Sequence, residues 1–291
     1  MNQFTIKDIE NLSGIKAHTW RIWEQRYGLG MPQRKESNHR FYDNENLKQI
    51  LRISYLYHTG TKISKIASFE PDELRDRALA STSDENQHEY YLKELVEASI
   101  DLDEERFERT FVEAIERLGL ENTFLKVLYK FQEKIGMLWL TDHVIPAQEH
   151  FTSNIIRQKI AVAIDSLPLP KNSLKKKVLL FTPLKEHHEI PLQFLHFNLR
   201  KNNTRVIYFG SNVSLQTLEL FKGQSSFTHL LFHLVTNLTN HNPEEYLQDL
   251  SALFPDKTIV MSGALAQYVT VTPPNVILLK SFEDLMSFIE E

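Results

Sequence analysis

No cysteine occurs among the 291 residues, which excludes disulfides, thiolate metal ligands and a cysteine nucleophile. Glycine is scarce, at nine, and none of it falls into a G-x-G-x-x-G, P-loop or G-x-S-x-G pattern. Nucleotide phosphates and esterase chemistry therefore have no recognisable cradle. No apolar run approaches the roughly 20 residues that span a bilayer, and the N-terminus has no apolar signal segment. No membrane partner and a cytoplasmic location are expected. Paired carboxylates in a recognisable catalytic setting are also missing. The sequence does not read as an enzyme.

What is present suggests two or three soluble domains, with 42% hydrophobic and 24% charged residues. The net charge of −5 is unevenly spread: residues 1–69 hold 11 Lys/Arg against 6 Asp/Glu, and the remainder 22 against 32. A basic N-terminal module on an acidic body fits a reader of a polyanion. The basic character concentrates in Lys16–Tyr42, where Lys16, Arg21, Arg26, Arg34, Lys35 and Arg40 face only Glu24 and Glu36. Trp20, Trp23, Tyr27, Phe41 and Tyr42 are interleaved with them. Thr5 and Asp8 form a capping-box pattern for a first short helix, Ser13-Gly14 a turn, and a second helix begins near Lys16 and stops at Gly28 and Gly30. That is a helix-turn-helix, followed by a basic loop ending in HRFY, a third helix from Asn44 to Thr59 and a fourth from about Lys62.

The order of these parts, with T-x-R-x-W-E-x-R-Y-G in the second helix and H-T-G-T-K-I-S-K-I after the third, resembles the MerR family of winged-helix regulators over residues 4–69. The resemblance implies that the second helix reads the major groove of a double-stranded operator and that the loop is a wing along the phosphates. Thr19, Arg21 and Trp23 would then sit at the groove with Arg26 nearby, Lys16, Tyr27 and Arg34 would complete the DNA-binding set, and Arg40 and Tyr42 would anchor the wing. From the residues alone, Trp20 reads as core and Trp23 stays open between core and groove.

Residues 70–88 begin helix-compatible and end polar, which reads as a linker. With no long coiled-coil seam after it, self-association is expected elsewhere in the chain. Residues 89–166 carry four amphipathic patterns, the second broken at Gly119 and the fourth starting at Pro146 or Ala147, and predict a four-helix bundle. Residues 167–176 are a Pro-rich linker, and 177–291 alternate apolar strands with helices. That alternation predicts a doubly wound, flavodoxin-like parallel sheet with its site at the strand C-terminal ends. The expected fold is thus multidomain: α winged helix-turn-helix, α bundle, α/β sheet.

A bundle followed by an α/β domain whose first loop holds Glu186-x-His188 is similar to cobalamin-binding modules, and with the N-terminal domain the whole resembles the light-sensing, cobalamin-dependent MerR-type repressors. The resemblance implies that His188 is the lower cobalt ligand, oriented by Glu186, and that Trp139, Glu149 and His150 cover the upper face of adenosylcobalamin. It also implies that light then frees the cobalt for His150, and that a homodimer or tetramer rearranges. Gly210, Ser262 and Gly263 fall at further positions around the cofactor. The sequence departs from the pattern at Pro191, where the family has glycine, at the bulky Phe232-His233, and at Ser262 in place of a first glycine. Two alternatives stay open: a regulator that has lost cobalamin and works through protein contacts or another ligand, and a cobalamin-dependent methyl-transfer module. Taken alone, Glu149-His150 also reads as a helix joint, and Glu186, His187, His188 and Glu189 as a polar loop or a divalent-metal cluster.

Overall fold

The structure, a computed structural model, describes residues 4–34, 40–80, 87–140, 146–170, 176–223, 226–235 and 242–291, apart from the side chains of 34, 75–76, 78–80, 136–140 and 146. It divides into two compact units, Met1–Ile155 and Ile156–Glu291.

The first unit opens with α1 (Ile6–Ser13) and α2 (Ala17–Tyr27). The Thr5–Asp8 capping box closes reciprocally, Thr5 N–H donating to the Asp8 carboxylate at 2.7 Å. Gly14, with φ of 72°, ends α1, and the Glu10 carboxylate caps the Ala17 N–H of α2 at 3.0 Å. Short strands β1 (Gln33–Arg34) and β2 (Arg40–Phe41) pair antiparallel, so a wing hairpin is present; its tip, residues 35–39, lies outside the described residues. The third helix, α3 (Asn44–His58), supports the turn from beneath: Ser54 Oγ donates to the Ser13 carbonyl at 2.6 Å, and His58 Nε2 lies 3.0 Å from the same oxygen. Ile9, Leu12, Trp20, Trp23, Leu47 and Ile50 form the buried centre. Gly30 has to be glycine there, because a Cβ would lie 2.7 Å from the Trp20 ring.

Two short helices, α4 (Ile63–Ile66) and α5 (Pro71–Ala80), follow, the second within the segment read as linker. Then come α6 (Gln87–Asp101), α7 (Glu104–Thr123), a π-helical turn (Phe124–Leu128), α8 (Tyr129–Leu140) and α9 (Pro146–Ser166). Gly119 breaks the helical run, as expected. It takes φ 76° and ψ 157°, kinking α7, which resumes to Thr123. Phe107, Phe111, Leu95, Phe131 and Leu128 fill the space between these helices. Helix α3 packs on α6, and Lys134 of α8 donates to the Leu12 carbonyl of α1 at 2.5 Å.

The second unit is a five-stranded parallel sheet of order β4-β3-β5-β6-β7, with β3 Lys177–Pro183, β4 Arg205–Val213, β5 His229–His233, β6 Thr258–Ser262 and β7 Val276–Leu278. Leu179, Phe181, Leu230, Phe232 and Met261 face α11 (Leu215–Glu219) and α12 (Pro243–Leu253); Val178, Leu180, Leu231 and Val260 face α10 (Glu189–Lys201) and α13 (Phe282–Glu290). The continuous apolar strands read in the sequence follow from this burial on both faces. The chain reverses direction across the sheet between β3 and β5, the switch point where ligands of such sheets bind.

Candidate functional site

Two places gather the candidate residues. The first is the outer face of α2. Lys16, His18, Arg21, Ile22, Gln25 and Arg26 are exposed, while Trp20, Trp23 and Glu24 are buried and Thr19 and Tyr27 are half-buried. Arg26 lies 5.2 Å from the Tyr27 ring centre, and Lys16 pairs with Glu10 at 3.0 Å. Trp23 therefore belongs to the core rather than the groove: it stands edge-on to Trp20 at 5.6 Å and to Tyr57 at 4.8 Å. Tyr42 needs the same correction. It is wholly buried, and its hydroxyl donates to the buried Glu24 carboxylate, so it has no phosphate to reach. Burial and the neighbouring carboxylate push the Tyr42 phenol well above its usual range. Burial raises Glu24 too, against the pull of Tyr42 and Arg40. Arg40 remains an exposed cation, 3.9 Å from Glu24. The Arg34 side chain lies outside the described residues.

The second place is the loop after β3. Glu186 is wholly buried there and accepts from His188 Nδ1 at 2.5 Å, from the His188 N–H at 3.1 Å and from the Val235 N–H at 2.9 Å. The Val235 bond ties the β3 loop to the β5 loop across the switch point. Thr182 Oγ1 donates to the Glu186 carbonyl at 2.6 Å and accepts from the Asn212 N–H at 3.1 Å. Lys185 and Asn212 hold left-handed φ of 70° and 64°, with the Lys185 N–H on Asn212 Oδ1 at 2.8 Å. A carboxylate on Nδ1 places the imidazole lone pair on Nε2, the arrangement that orients a metal-binding histidine. His188 is the N-cap of α10 and about half exposed. Pro191, the first departure, falls in the opening turn of α10, where a missing N–H costs nothing.

Around this loop, Tyr208 donates to Glu189 at 3.1 Å, Arg157 lies 3.7 Å from the same carboxylate, and Gly210 passes beside it with φ 78°. His233 Nδ1 and Ser262 Oγ are 2.9 Å apart, and burial pushes the His233 imidazole down to about 4. Phe232 is packed into the sheet core against Phe181 and Tyr246. Gly263, with φ 101°, has no room for a Cβ, which would meet the Leu234 carbonyl oxygen at 2.4 Å. The donor set for a cobalt ligand therefore fits, while the space that a glycine opens at the β6 end is taken up by this chain's own Leu234. In the first unit, Glu149 pairs with His150 at 2.8 Å and accepts from Ser153 Oγ at 2.5 Å, in the first turns of α9. The Trp139 side chain lies outside the described residues. Among those described, no three His, Asp or Glu form a metal cluster. The parts played by Thr182, Asn212 and Val235 had no signal in the sequence, because the sheet brings them together from distant positions.

Residues 4–72 match the MerR HTH family regulatory protein family, and residues 91–164 match the B12 binding domain. The chain joins a MerR-type helix-turn-helix to a B12-binding domain. It is 25% identical over 221 residues to the HTH-type transcriptional repressor CarH of Myxococcus xanthus, covering 74% of this chain and 73% of that protein. Identity to the repressor CarA of the same organism is 27% over 219 residues, 74% of this chain and 70% of that one. The fold is similar to a monomethylamine corrinoid protein of Methanosarcina barkeri, with a TM-score of 0.54 at 13% identity, over 70% of this chain and 98% of that one. No described helix is long and apolar enough to cross a membrane.

Proposed function

We propose that the protein is a DNA-binding transcriptional regulator that takes up cobalamin in its C-terminal half and uses it to control self-association. The observation that carries this reading is the buried Glu186 holding His188 by Nδ1, which turns Nε2 into a ligand for cobalt. When bound, adenosylcobalamin supplies a cobalt–carbon bond that light breaks. Glu186 keeps His188 in one tautomer and orientation, and Gly210, Ser262 and Gly263 border the loop. By the same resemblance, Trp139, Glu149 and His150 would help to hold the cofactor, with His150 as a second imidazole donor. A ligand that favours one assembly state shifts the population toward it, and DNA affinity follows the assembly. On the DNA side, Arg21 and Arg26 on α2, with Lys16, Arg34 and Arg40, supply the positive charge that positions a duplex. Two copies of α2 suit a roughly palindromic operator.

The test is an absorption spectrum of protein incubated with adenosylcobalamin in darkness, before and after green light, with duplex binding followed at several salt concentrations. A bound corrinoid spectrum that shifts on illumination, lost in His188→Ala, is expected. Stoichiometric cobalamin retained by His188→Ala would sink the assignment. Colourless protein with salt-dependent duplex binding would leave the regulator without this cofactor.

A further inference from the structure

We propose that Ile22 is the sequence-reading centre of α2, seating the 5-methyl group of a thymine in each half-site. The inference rests on α2 entering the major groove, as proposed above. At about 100° per residue, Ile22 projects roughly opposite Trp20, the most buried residue of the helix. It is 53% exposed, the one aliphatic side chain on a face otherwise made of His18, Arg21, Gln25 and Arg26. The two arginines flank it on opposite sides. Arg21 is exposed, so it is available to a phosphate or a guanine.

This arrangement divides the labour of recognition. Charge at the rim attaches the helix to any duplex, whereas an apolar branched side chain at the centre has one distinctive partner in the major groove, the thymine methyl. Gln25, one turn along on the same face, suits the N6/N7 edge of an adenine beside it. Helix stability gives Ile22 no role, because the burial of Trp20 and Trp23 already fixes the opposite side. Thr19 and Trp23, which the family pattern puts at the groove, are half-buried and buried, so specificity passes to Ile22 and Gln25.

The experiment uses the full chain, with and without adenosylcobalamin in darkness, to select a binding site from random duplexes. Each thymine of that site is then replaced singly by deoxyuridine, which lacks only the methyl. The expected result is one thymine per half-site at which the replacement weakens wild-type binding about three- to fourfold. At that position Ile22→Ala should bind thymine and uracil duplexes equally, and Ile22→Val should keep part of the difference. Two results overturn the proposal while leaving the DNA-binding function intact: no methyl-sensitive position for wild type, or full methyl sensitivity in Ile22→Ala. Failure to enrich any duplex overturns the DNA-binding reading itself, and this proposal with it.

Discussion

Arg52 of α3 grips Glu97 of α6 with two parallel bonds, Nε to Oε1 at 3.2 Å and Nη2 to Oε2 at 2.8 Å, and Glu97 is wholly buried. Arg106 reaches the same carboxylate at 2.9 Å and Glu94 at 2.7 Å, while Lys48 meets Asp101 at 3.1 Å a turn away. The helix that supports the helix-turn-helix is thereby held to the first helix of the B12-binding domain by a desolvated, bidentate pair. Removing Glu97 strands the Arg52 guanidinium and leaves Arg106 with Glu94 alone, and a broken buried pair costs about 3–5 kcal/mol. Glu97→Ala should therefore lower the unfolding free energy of the first unit by about 3 kcal/mol or more, against under about 1 kcal/mol for Lys48→Ala, whose partner Asp101 is a third exposed. Urea titrations of both variants check the ranking.

Tyr42 and Arg21 should separate stability from DNA binding. Tyr42→Phe leaves the buried Glu24 short of a donor and should cost about 1–3 kcal/mol of stability. The salt dependence of duplex binding should stay unchanged, because the hydroxyl faces inward. Arg21→Ala should do the reverse, leaving the melting curve alone and reducing the salt slope by about one. A lowered salt slope for Tyr42→Phe would return Tyr42 to the phosphates.

Glu186→Gln keeps the shape of the loop but weakens the grip on Nδ1. Cobalamin affinity should fall about 10- to 100-fold, with dissociation followed in the visible spectrum. Affinity equal to wild type would show that the imidazole is oriented by something else.

Much of this was legible because it is local. Thr5 and Asp8 are three residues apart, Glu186 and His188 two, and spacing alone brings such pairs together. The strands were equally plain, since burial on both faces demands continuous apolar runs. Trp23 was legible in part, as helical spacing from Trp20 already placed the two indoles on one side. What stayed hidden depends on distant chain segments. Tyr42 meets Glu24 across 18 positions and Val235 meets Glu186 across 49, and no periodicity announces either contact. The break at Gly119, by contrast, was legible, because a glycine can take the φ of 76° and ψ of 157° that interrupt a helix there.

Gly263→Ala tests the close approach at the β6 end. A side chain at φ 101° is strained, and its Cβ would overlap the Leu234 carbonyl. Backbone strain alone costs about 1–3 kcal/mol, so the second unit should lose at least that much in urea. An unchanged midpoint would mean that Leu234 yields easily and that the space is open to a ligand.

The stability of the second unit should also depend on pH through His196, which is stacked on Tyr208 at 5.0 Å. Burial, with Arg200 adding to it, holds its imidazole down at about 4 against an ordinary 6.5. The unfolded chain therefore takes up a proton that the folded one refuses. The contribution of His196 is complete above about pH 6.5 and is lost as pH falls toward 4. His196→Gln should lose less stability than wild type across that window, with His233 maintaining the remaining slope.

The clamp between α3 and α6 has a consequence for anyone who dissects the chain. Arg52 and Lys48 belong to the helix-turn-helix segment, yet their counter-charges, Glu97 and Asp101, belong to the helix that follows. Severed before α6, the N-terminal fragment would bare Arg52 to solvent and leave Lys48 only the exposed Glu45 of its own helix. Polyanions attract such charges whatever their sequence, and each phosphate neutralised adds to the salt slope. Footprints taken with the fragment would therefore describe a stickier and less discerning protein than the whole chain.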